Sequence, residues 1–157
     1  MKRRPCLLIH SSLLCGQSFS AAPAASLPIQ LILIGDSTMA TRSGYADALY
    51  ARFKPGTRCV NLAHGGHSSA SCRSEGRQDE VQSLLSDSAA CRASYVPVQF
   101  GHNDQSGKPG RSTGLVTAFP ANMVRYARDV KQLGGVLVLV TPLTRRSFAS
   151  AGVEAGQ

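Results

Sequence analysis

Leu31-Ile32-Leu33-Ile34-Gly35-Asp36-Ser37-Thr38-Met39 is the stretch on which the reading of this chain turns. Four consecutive apolar residues fit a strand buried on both faces, and Gly35-Asp36-Ser37 ends it in a tight turn. A serine is thereby delivered to the carboxyl end of a strand. In an open parallel sheet the loops diverge at that edge and leave a crevice for ligands, which suits a nucleophile. The same residues also fit a plainer role, with Ser37 or Thr38 capping a following helix.

Outward from this strand, helix and strand patterns alternate. Tyr45, Ala48, Leu49 and Phe53 recur at helical spacing up to Pro55-Gly56, and Arg58 to Leu62 reads as a second strand. That strand runs into Ala63-His64-Gly65-Gly66-His67-Ser68-Ser69, a loop whose glycines allow close approach to a ligand. Val81, Leu84 and Leu85 mark one face of a short helix. Tyr95 to Phe100 reads as a third strand ending at Gly101-His102-Asn103-Asp104, although Pro97 counts against a central position because it lacks a ladder donor. Lys108 to Gly114 is a polar loop. Phe119, Met123, Tyr126, Ala127, Val130 and Leu133 follow a helical period closed by Gly134-Gly135, and Val136 to Val140 is a fully apolar strand stopped by Thr141-Pro142. The alternation predicts an α/β fold with a parallel sheet and helices on both faces, and it brings the polar strand ends to one edge.

The 157 residues suffice for one domain with a real core. Its beginning reads as something else. Met1-Lys2-Arg3-Arg4, an apolar run from Cys6 to Cys15 and small residues from Ser20 to Ala25 have the form of a secretory signal peptide over residues 1–24, leaving a domain at 25–157. A secreted or periplasmic location is expected, with no membrane attachment after cleavage. Cleavage removes Lys2, Arg3 and Arg4 and no acid, so the formal charge of +8 falls by three. The remaining basic excess is dispersed and favours an anionic polymer over nucleic acid, for which no basic stripe or binding motif is present. Cys59, Cys72 and Cys91 follow no zinc-binding spacing, so they are packed thiols or one disulfide with a thiol left over, and no metal is expected.

Acyl transfer needs a nucleophilic oxygen and donors aimed at the oxyanion that forms on the carbonyl. Ser37 supplies the first, and the N–H groups of Ser37 and Gly66 with the amide of Asn103 supply the second. Gly35-Asp36-Ser37-Thr38-Met39, Asn61-x-Ala63-x-Gly65-Gly66 and Gly101-His102-Asn103-Asp104 resemble the first three blocks of the SGNH, or GDSL-like, hydrolases. Within them the chain is most similar to the rhamnogalacturonan acetylesterases. Ser68-x-x-Ser71, Glu75-Gly76-Arg77 and Thr141-Pro142-x-x-Arg145-Arg146-x-Phe148 add to the likeness, which covers residues 30 to 148. The resemblance implies a flavodoxin-like three-layer α/β/α sandwich. It further implies Ser37 as nucleophile, Gly66 and Asn103 in the oxyanion hole, no cofactor, and an acetylated acidic polysaccharide or small ester as substrate of a monomeric enzyme. Asp36 is a supporting residue that organises its turn, as is Asp104. Arg145 and Arg146 are candidates for a galacturonate carboxylate.

Two departures stand out. His67 takes a position where the pectin-directed members usually carry arginine. The Asp-x-x-His block that supplies the base in these enzymes has no counterpart here, so an amino-terminal fragment with weak or no activity is expected. His64, His67 and His102 are the remaining candidates for a substitute base. A non-catalytic carbohydrate-binding product is the alternative reading. A phosphate-binding module on Gly35 to Thr38 is a third, weakened by the lack of a glycine-rich cradle with lysine.

Overall fold

The computed structural model describes residues 27–144 and the backbone of two short strands at 146–149 and 152–155. The expected signal peptide lies outside the described residues. No described helix is long and apolar enough to cross a membrane.

The opening stretch forms β1 (Ile29–Gly35), buried from Gln30 to its end. It pairs in parallel with β2 (Thr57–Asn61), Leu31 opposite Cys59, and with β3 (Ala93–Gln99), Leu31 opposite Tyr95. β3 pairs in parallel with β4 (Val136–Leu139), Val96 opposite Leu137. The strand order is β2-β1-β3-β4, the first four positions of the flavodoxin-like arrangement, and the order reverses between β1 and β3. Alternation along β1 sends Ile32 and Ile34 to one face and Leu31 and Leu33 to the other. The first pair packs with Val96, Val98 and Phe100 against Val81 and Leu85 of α3 (Arg77–Ser86) and Tyr126 and Val130 of α4 (Phe119–Gln132). The second pair packs against Met39 and against Ala46 and Leu49 of α1 (Ala46–Tyr50). Helices thus cover both faces, and the expected three-layer α/β/α architecture is what the chain adopts.

Five elements differ from the sequence reading. Pro97 stands inside the sheet, since β3 lies between β1 and β4. Its missing donor is accommodated by a gap: the register to β1 runs through Tyr95 and resumes at Val98, skipping Val96 and Pro97, while pairing to β4 continues through Pro97. α1 stops at Tyr50 rather than reaching Phe53, because Arg52 and Phe53 donate to carbonyls three residues back and tighten the end before Pro55. A single turn, α2 (Ser71–Ser74), precedes α3, and β5 (Arg146–Ala149) and β6 (Gly152–Ala155) form an antiparallel pair; neither was expected. The three described cysteines are free thiols, which decides between the two readings of them.

Candidate active site

β1 ends at a glycine because β3 presses on it: a Cβ on Gly35 would stand 2.6 Å from the carbonyl oxygen of Gln99. The turn that follows is built on Asp36. Its N–H donates to Gln99 O, its Oδ1 accepts the Thr38 N–H at 2.9 Å, and its carbonyl accepts the N–H groups of Met39 and Ala40. The aspartate organises its turn, as its place after the strand implies. Its Oδ2 is buried without a partner, and Tyr45 nearby has its phenol pKa raised by burial first and by the Asp36 charge second. Ser37, half-buried at the apex, faces the second loop, its Cβ lying 4.0 Å from the point a Gly65 Cβ would occupy.

The second loop continues alongside β1 after β2 has ended. Leu62 N–H donates to Leu33 O and His64 N–H to Gly35 O, and Asn61 Nδ2 reaches across to Met39 O at 3.2 Å. The third loop, after β3, closes the set. Asn103 is buried and donates its Nδ2 to His67 O at 2.8 Å, which commits one of the two N–H bonds of that amide. His102 Nδ1 meets Thr38 Oγ1 at 3.2 Å. Loops one and two, two and three, and one and three are therefore each joined by hydrogen bonds, beside the point where the strand order reverses.

A second tier holds the second and third loops together. Asp104 is fully buried, and its Oδ1 accepts the Ser69 hydroxyl at 2.6 Å, the Ser69 N–H at 3.0 Å and the Thr113 hydroxyl at 2.7 Å. Ser69 in turn accepts Asn122 Nδ2 on its hydroxyl and the Tyr126 hydroxyl on its carbonyl, each at 3.0 Å. α4 thus grips the rim through one serine. Nothing in the sequence marked Ser69, since loop serines are common and its partners lie far along the chain.

The described histidines bond other groups. His64 Nδ1 lies 3.0 Å from Gly65 O, His67 Nε2 meets Glu75 Oε2 at 2.8 Å, and His102 Nε2 meets Leu143 O. Among the described residues none hydrogen-bonds Ser37 Oγ, so the structure does not bring a substitute base to the serine. Arg145 lies outside the described residues, and Arg146 begins β5 with its side chain undescribed. Another arginine does reach the rim. The Arg111 guanidinium lies against Gly66, a position with φ +88° where an added Cβ would stand 2.9–3.0 Å from its Cζ and both terminal nitrogens.

No family model matches the chain. Rhamnogalacturonan acetylesterase RhgT of Bacillus subtilis (strain 168) is 33% identical to it over 132 residues, which take in 80% of this chain and 53% of that protein. The resemblance is to a hydrolase. The chain spans about half the length of this curated relative.

Proposed function

We propose that the chain derives from a secreted serine esterase that removes O-acetyl groups from a pectic polysaccharide. The observation that carries this reading is the pairwise bonding of the three strand-end loops bearing Ser37, Gly66 and Asn103. The name of the similar Bacillus protein supplies the acetyl ester and the polymer. In this account Ser37 Oγ attacks the acetyl carbonyl. The oxyanion is met by the N–H groups of Ser37 and Gly66 and by the remaining N–H of the Asn103 amide, donors fixed before the substrate arrives. The sugar hydroxyl leaves with a proton, and water then releases acetate from the serine.

Proton transfer is the weak point. With no described histidine hydrogen-bonded to Ser37, the 157-residue chain turns over slowly, by several orders of magnitude relative to an enzyme with a base in place. The test is acylation rather than turnover: with excess p-nitrophenyl acetate, intact-mass spectrometry should show one acetyl group added, mapped to Ser37 and lost in Ser37→Ala. Acetylation that persists in Ser37→Ala removes the nucleophile assignment.

The same commitment of the histidines favours a second reading, a carbohydrate-binding product without turnover. Saturable binding of acetylated pectin fragments with no Ser37 acetylation would favour it over the esterase.

A further inference from the structure

Arginines whose role is structural in this molecule are paired. Arg73 Nη2 meets Asp129 at 2.7 Å with its guanidinium over the Tyr126 ring, and Arg77 Nη1 meets Glu80 at 2.8 Å. Among the described residues Arg111 has no such partner, nor have Arg42, Arg52, Arg92, Arg125 and Arg128; what sets Arg111 apart is its place against Gly66. It is exposed, and among the described residues no ion pair or hydrogen bond holds its guanidinium. Its position is nevertheless defined. The Arg111 N–H donates to Lys108 O at 3.0 Å, Ser112 Oγ bonds the carbonyls of Gln105 and Lys108, and Thr113 Oγ1 bonds Asp104. The carboxylate of Asp104 is buried and already saturated by Ser69 and Thr113, so it does not compete for the arginine.

The side chain ends flat across Gly66. A Cβ on that glycine would be almost equidistant from Cζ, Nη1 and Nη2, which is the geometry of a group approaching the face of the guanidinium rather than its edge. The face is therefore used against the backbone, and the in-plane N–H donors remain for a ligand beside it. A planar fork of that kind matches a carboxylate with two parallel bonds, in a way a lysine ammonium does not. Gly66 adjoins Gly65, whose Cβ position would lie 4.0 Å from Ser37 Cβ, so the unpaired charge sits on the same loop that borders the serine.

We propose that Arg111 is a specificity-determining residue whose guanidinium receives the carboxylate of a uronic acid unit adjoining the acetylated sugar at Ser37. This rests on the esterase reading above and adds to it the residue that reads the charge of the polymer.

The test uses the full chain and two probes, trigalacturonic acid and its fully methyl-esterified form, titrated by calorimetry at low and moderate salt. The wild type should bind the acid more tightly than the ester by on the order of tenfold, as expected when a charged hydrogen-bonded pair is made or withheld. The preference should shrink as salt rises. Arg111→Ala should bring the affinity for the acid down to that for the ester, and Arg111→Lys should restore part of the difference. Equal binding of the two probes by the wild type, no measurable binding of the acid, or a preference that survives Arg111→Ala overturns the proposal. Acetylation of Ser37 by p-nitrophenyl acetate, followed in parallel on the wild type, separates the two ideas. Failure there with the acid preference intact strikes the esterase reading, and success there without the preference strikes Arg111 alone.

Discussion

Ser69 shows how much one side chain can carry at a loop junction. It joins Asp104, Asn122 and Tyr126, three residues from two distant segments, and is itself fully buried with Asp104 and Tyr126 while Asn122 is half-buried. Such a network is strong when every member is satisfied and costly when one is removed, because Asp104 stays buried and loses its shortest bond. Ser69→Ala should therefore destabilise the fold by about 2–3 kcal/mol, read from denaturant midpoints. Ser106→Ala, at an exposed serine, should stay within about 0.5 kcal/mol of the wild type. Neither Ser69 nor Arg111 was visible in the sequence. The importance of each comes from what folds onto it, and no local pattern encodes that. Ser37 and Asn103 could be picked out because each follows an apolar strand, and Gly66 because its glycine-bearing loop resembles a family block.

Among the elements, the strands were legible and the helix ends less so. β1 and β4 are announced by unbroken apolar runs, and α4 by its period and the glycine pair after it. β3 illustrates a rule overridden by its surroundings, since a gap in one ladder tolerates Pro97 while apolar burial keeps the strand inside. The β5–β6 pair carries no comparable apolar signature and went unread. β4 also raises a question of behaviour. Among the described residues it borders the sheet, yet Val136, Val138 and Leu139 are 44%, 40% and 58% exposed, and no charged side chain interrupts it. An apolar edge of this kind is a template for pairing with another chain. The expectation of a monomer is thus most exposed to challenge here: sedimentation of the wild type should show association that grows with concentration. Val138→Lys should reduce it, and equal sedimentation of the two proteins would count against β4 as the contact.

For the molecule as a whole, the buried thiol and phenols shape its response to alkali. Burial pushes the Cys72 thiol up to about 11 from 9.0, and burial likewise raises the Tyr126 phenol above 10.0; Tyr45 and Cys59 move in the same direction. The folded chain holds these protons at a pH where the unfolded chain has released them. Their contribution is accordingly complete below about pH 9 and declines as the pH climbs from 9 toward 11. Melting temperatures should be level near neutrality and fall across that interval, and Cys72→Ala should lessen the fall. A slope unchanged by the substitution would remove Cys72 from the account.

The strand order bears on how the crevice is lost. Among the described residues β1 and β3, which deliver Ser37 and Asn103, have strand neighbours on both sides, whereas β2 and β4 have a neighbour on one. Local opening therefore begins at the borders and reaches the inner pair last, so their amide protons are the slowest to exchange with solvent. A molecule frayed at β2 keeps its serine and its carboxamide in register but sets loose the loop that carries Gly66 and the His67 carbonyl on which Asn103 rests, so the rim comes apart one loop at a time, beginning with the second.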